Sequence, residues 1–112
     1  MNKLPTIDIK GKEYVMVKDR IIHFNNTYKN GSIRSKIISY DDGHVVVIAK
    51  VIPDVESIER HFVGHSQASD GEGMMGNVAL EVAETSAIGR ALAMMGIGVI
   101  DSIASADEMN KA

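Results

Sequence analysis

Alanine recurs at every fourth position from Ala79 through Ala83 and Ala87 to Ala91. At 3.6 residues per helical turn this sets one methyl per turn along a single ridge. Leu80, Ile88, Leu92 and Met95 widen the ridge into an apolar face. The spacing predicts a helix from about Asn77, a residue type suited to the cap position, to Met95, with Gly96 and Gly98 ending it. A ridge of methyls lets a helix backbone approach a neighbour closely. That neighbour is either a sheet of the same chain or, in the alternative, a second copy. In 112 residues one such helix against one sheet takes up most of the core that can be built, so residues 1–112 read as a single domain.

The segments upstream have other periods. Thr6-Ile7-Asp8-Ile9 and Glu13-Tyr14-Val15 flank Lys10-Gly11-Lys12 and predict a short hairpin with glycine in its turn. Val17, Ile21, Phe24 and Tyr28 form one stripe of an amphipathic helix, although a strand from Val15 to Phe24 fits the same stretch. Asn30-Gly31 stops that helix, on the expectation that the glycine turns left-handed. Strands are expected over Ile33 to Tyr40, His44 to Ile52 and Ile58 to Ala68, the first two joined by Asp41-Asp42-Gly43. Val45-Val46-Val47-Ile48 is apolar at successive positions, so the middle strand is buried on both sides and the three make an antiparallel meander. Ser105-Ala106-Asp107-Glu108 has the spacing of a capping box and starts a last short helix. The class is α+β.

Composition closes several routes. Hydrophobic residues at 45% against 24% charged fit a globular chain. With no Cys there is no disulfide, no thiol nucleophile and no thiolate metal site, which fits a cytoplasmic location. No run approaches 18 apolar residues and Met1 to Pro5 is no signal peptide, so no membrane partner is expected. His61 and His65 share a strand face in this reading, with His23 and His44 elsewhere. Two imidazoles without a third ligand make a poor zinc site, so no metal is expected. Gly71-Glu72-Gly73-Met74-Met75-Gly76 matches the dinucleotide-binding glycine pattern. Glu72 and Glu81 would repel a pyrophosphate there, and antiparallel hairpins precede the pattern where crossover units belong. No cofactor is expected. No Ser-His-Asp set has interpretable spacing, and the chain is predicted not to be an enzyme.

The charge is uneven. Residues 1–50 hold nine bases against five acids, a net of +4, whereas residues 51–112 hold three bases against ten acids, a net of −7. The overall −3 therefore conceals a basic half. A period of two over the first long strand sets Arg34, Lys36, Ile38 and Tyr40 on one face. Two cations and a ring suit single-stranded nucleic acid, the cations tracking phosphates and the ring stacking an unpaired base. Lys10 and Lys12 on the hairpin tip, Lys18 and Arg20 at the first helix start, and Lys50 and Arg60 on neighbouring strands extend the track. The same pattern also fits a solvated sheet face with Tyr40 in the core. Tyr14, Tyr28 and Phe62 are weaker stacking candidates. Arg90, alone in the alanine helix, is expected to cap carbonyls or pair with Glu84 or with an acid across an interface, with contact to a phosphate as the alternative.

Glu84-Thr85-Ser86-Ala87-Ile88-Gly89-Arg90-Ala91-Leu92-Ala93-Met94-Met95-Gly96-Ile97-Gly98 resembles a block of small phage recombination proteins. Glu13 to Arg20 and the Asn30-Gly31-Ser32-Ile33 turn add to it. Together they resemble the single-stranded-DNA-binding proteins of tailed phages of lactic acid bacteria, over about Lys12 to Asp101. The resemblance implies a curved antiparallel sheet of about five strands, an OB-like half-barrel, with a short N-terminal and a long C-terminal helix packed on it. It implies sequence-independent binding of single-stranded DNA in phage replication and recombination, in the host cytoplasm, by a homodimer or higher homo-oligomer, with a recombinase as a candidate partner. The meander and the A-x-x-x-G-R-A-L helix are equally similar to ring-forming single-strand annealing proteins. A non-catalytic dimeric interaction domain, with the alanine ridge as its interface, is the further alternative.

Overall fold

The computed structural model describes residues 4–71 and 78–110. Its elements in chain order are β1 (Ile7–Ile9), β2 (Lys12–Tyr14), α1 (Val17–Thr27), β3 (Ser32–Asp41), β4 (His44–Ile52), β5 (Phe62–Ser69), α2 (Ala79–Met94) and α3 (Ala106–Asn110). The class is α+β as expected, but the strands form two separate antiparallel sheets. β1 pairs with β2 alone, and β3, β4 and β5 form a meander in that order. Among the described residues there is no five-stranded half-barrel. The hairpin strands are three residues long, α1 intervenes before β3, and the hairpin packs towards the C-terminal segment. Glu13 N donates to Asp101 Oδ2 (3.0 Å) and Ala106 N to the Val15 carbonyl (2.9 Å).

The alanine ridge is what joins helix to sheet. Ala79, Ala83, Ala87 and Ala91 are all fully buried, against Val45, Val47, Ala49 and Val51 of β4. The ridge is therefore covered within the chain and is not a dimer face. On β5, a Cβ at Gly64 would overlap the Ala87 carbonyl oxygen and lie 2.5 Å from Ala91 N. Only glycine allows that approach, because neither obstacle is a side chain that can turn away.

Several turns and helix ends follow local rules, and Gly31 and the start of β5 do not. Lys10-Gly11 and Asp42-Gly43 have positive φ at both positions (53° and 87°, 51° and 74°), the conformation that matches the twist of a tight hairpin. At Gly96 φ is 95°, and Ile97 N returns to the Leu92 carbonyl to close α2. The capping box forms around α3: Ser105 N donates to Glu108 Oε1 (3.1 Å) and Glu108 N to Ser105 Oγ (3.3 Å). Gly31 is the first exception. It is not left-handed, and its lack of a side chain is required because a Cβ would lie 2.6 Å from the Phe24 ring. The second is the third strand of the meander, which starts at Phe62 because residues 54–60 are taken up by turns. His61 therefore precedes the strand and sits with Nδ1 3.0 Å from the Ile58 carbonyl.

Candidate nucleic-acid interface

α2 covers one face of the meander, and among the described residues no other helix or strand packs across the opposite face. Register fixes what that open face carries. Arg34 is opposite Lys50, and Lys50 opposite Val63; Lys36 is opposite Ile48, and Ile48 opposite His65. Arg34, Lys36 and Lys50 are exposed and share a groove of about 400 Å³ with Ile38 and Ile48. Arg34 Nε donates to Ser32 Oγ (3.1 Å), and none of the three takes part in a salt bridge among the described residues. The three strands contain a single carboxylate, Asp41 at the end of β3. The acids lie on the other side or at its margin: Glu84 accepts from Ser35 Oγ (2.6 Å), Asp107 from Val17 N (2.7 Å) and Glu108 from Arg90.

Tyr40 is not on this face. The ladder slips between Ile37 and Ser39, so Ile38 is an extra residue and Tyr40 pairs with Val45. Val45 is fully buried on the helix side, and directly opposed residues share a face. A bulge reverses the parity of everything beyond it, so the expected alignment of Arg34, Lys36 and Tyr40 fails at its last member. Phe62 pairs with Val51 on the helix side too, Tyr14 is buried, and Tyr28 stacks on Phe24 at 5.1 Å. Among the described residues the open face offers no tyrosine or phenylalanine ring.

The remaining expected contacts disperse. Arg20 is fully buried, and its guanidinium donates to the carbonyls of Gly89 (2.8 Å), Gly98, Ile103 and Ala104 (3.3 Å each). Burial pushes its pKa down from the ordinary arginine value, and Glu108 and Asp107 pull it back. It ties α1 to the chain after α2 and is not a DNA contact. Lys10 and Lys12 are on the β1–β2 hairpin, and Lys18 is on α1 beside Asp19 at 3.3 Å. All three belong to elements packed on the helix side. Arg60 is in the turn before β5, over the Phe62 ring at 5.1 Å. Arg90 pairs with Glu108 of α3 (3.4 Å), a structural role, but with neither Glu84 nor an acid across an interface as its partner. The glycine pattern from residue 72 onward, and Asn77, lie outside the described residues. The N-terminus of α2 is capped by Asp70, whose Oδ1 accepts from Ala79 N (3.0 Å). Among the described residues no cluster of three or more His, Asp or Glu could hold a metal, and no helix is long and apolar enough to cross a membrane.

A helix, three antiparallel strands and a second helix, with both helices on one side and a carboxylate-poor cationic face on the other, define an open-faced α+β binding domain. A family model described as "Slr1353 N-terminal dsRNA-binding domain-like" matches residues 21–95, which run from within α1 to the end of α2. The chain belongs to that family, whose description is that of a nucleic-acid-binding domain. No curated protein and no solved structure matches the chain.

Proposed function

We propose that this protein binds single-stranded DNA without regard to sequence, through Arg34, Lys36 and Lys50 on the open face of the meander. It acts in phage replication and recombination, in the host cytoplasm, without catalytic activity of its own and as a homo-oligomer. The observation that carries the reading is the Arg34–Lys50 pair. Like charges directly opposite each other destabilise a sheet, and neither Arg34 nor Lys50 takes part in a salt bridge among the described residues. A polyanion relieves the repulsion and releases counterions as it binds. The family supports nucleic acid as the ligand class. The resemblance of residues 84–98 to phage recombination proteins supports single-stranded DNA within that class.

A fluorescence titration with oligo-dT, duplex DNA and duplex RNA at two salt concentrations tests it. Oligo-dT should bind most tightly, with log K falling by about 0.7 per decade of salt for each phosphate neutralised. Arg34→Glu with Lys36→Glu should abolish binding and leave the fold intact. No oligo-dT binding at low salt sinks the proposal, and tighter binding of duplex RNA transfers the ligand to the class in the family's description. The meander followed directly by α2 supports a second reading, single-strand annealing. Its signature is accelerated pairing of complementary strands by rings visible in electron micrographs.

A further inference from the structure

Between its three cations the open face is apolar. Ile38, the extra residue of the bulge, and Ile48 share the groove with Arg34, Lys36 and Lys50. Ile38 is 54% exposed. The bulge thus holds an isoleucine in water, within a rim of cations that enter no salt bridge among the described residues. Such a surface is matched by an amphipathic anion, whose flat apolar part covers the isoleucines while its charge meets the rim. A phosphate backbone alone leaves the floor wet. A duplex does the same, because its bases are paired and stacked and it presents phosphate and sugar to a flat surface. An unpaired nucleotide supplies both parts.

We infer that the Ile38–Ile48 floor seats an unpaired base of a strand whose phosphates lie on Arg34, Lys36 and Lys50, and that this contact sets the preference for single strands over duplex. The inference rests on the reading of the open face as the nucleic-acid site and names what that face recognises beyond charge. The floor takes the place of the tyrosine or phenylalanine ring common in single-strand binders, which this face lacks among the described residues. Aliphatic contact is indifferent to hydrogen-bonding edges, so it adds affinity for a base without reading its identity.

The test measures binding of oligo-dT, an abasic oligomer of equal length and duplex DNA at one low salt concentration. The proteins are the intact chain, Ile38→Ser and Lys50→Glu. The intact chain should bind oligo-dT about three- to tenfold tighter than the abasic strand, the return from covering part of one aliphatic side chain. Ile38→Ser, at an exposed position, should bring the oligo-dT and abasic affinities together. Lys50→Glu should weaken binding to all three. Equal binding of oligo-dT and the abasic strand by the intact chain overturns the inference and leaves the phosphate reading standing. Lys50→Glu binding all three ligands as the intact chain does overturns the phosphate reading itself. A smaller oligomer for Ile38→Ser in sedimentation, with the oligo-dT preference unchanged, assigns the patch to a second copy of the chain and also overturns the inference.

Discussion

Arg20 and Arg34 lie on opposite sides of the same domain and illustrate what a cation becomes when backbone carbonyls converge on it and when they do not. Four carbonyls, from α2 and from the chain beyond it, surround the Arg20 guanidinium. A Cβ on Gly98 would lie 2.8 Å from its Nε. Arg34 has one serine hydroxyl and otherwise faces water, with Lys50 across the ladder. The planar fork of five donors serves in the first case to join segments far apart in sequence. In the second it holds one hydroxyl and stays exposed. The two faces differ in the same way: the helix side is closed by alanine, glycine and internal hydrogen bonds, and the strand side is open and like-charged.

Breaking the closed side should give the largest effect. Arg20→Ala strands four carbonyls and opens a cavity between α1 and residues 98–104, so a loss of about 3–5 kcal/mol in urea unfolding is expected. That is a large part of the stability of a domain this size. Arg20→Lys should recover little, because one ammonium cannot span acceptors spread over three segments. Oligo-dT affinity per folded molecule should stay unchanged. A clear loss of affinity with stability intact would return Arg20 to the binding site.

Gly64→Ala comes next. The new methyl meets the backbone of α2 at Ala87 and Ala91, and neither can rotate aside. A loss of about 1–3 kcal/mol, read as a lower thermal midpoint, is the usual cost of overpacking. The substitution acts through the helix side and should leave the salt dependence of binding as it was. If stability is unchanged, the close seating of α2 on β5 is wrong.

These two positions also mark where the sequence could be read and where it could not. Local signals held: the four-residue alanine period, the Asp42-Gly43 turn, the capping box at Ser105 and the glycine closing α2 each act within a few residues. Arg20 looked like a surface cation because its four acceptors lie 69 to 84 positions downstream. Asp70, the cap of α2, is nine positions before the amide it accepts from. Gly64 stands in a strand as an interruption, and only the alanine ridge packed on it gives it meaning. The bulge carries no glycine or proline to announce it, so strict alternation put Tyr40 with the cations. Of the expected contacts, Arg34, Lys36 and Lys50 converge because they are joined by one hairpin. The others were grouped by charge alone and had no local pattern to hold them together.

The smallest effect should come from the cations that share the sign of the open face but not its position. Lys12 lies on the β1–β2 hairpin, which packs towards Asp101 and α3, and Lys18 on α1 already faces Asp19. Both are exposed and belong to the helix side, where at physiological salt their field is screened over about 8 Å. Lys12→Glu and Lys18→Glu, singly, should lower oligo-dT affinity by no more than about twofold at that ionic strength and leave the slope of log K against log salt unchanged. Arg34→Glu should reduce the slope by about 0.7. It should also stabilise the sheet by about 0.2–1 kcal/mol, because Lys50 then faces an opposite charge. The two readouts move in opposite directions only if Arg34 is unpaired in the free protein and phosphate-bound in the complex. Equal losses of affinity from Lys12→Glu and Arg34→Glu would instead place the strand of DNA around the hairpin side.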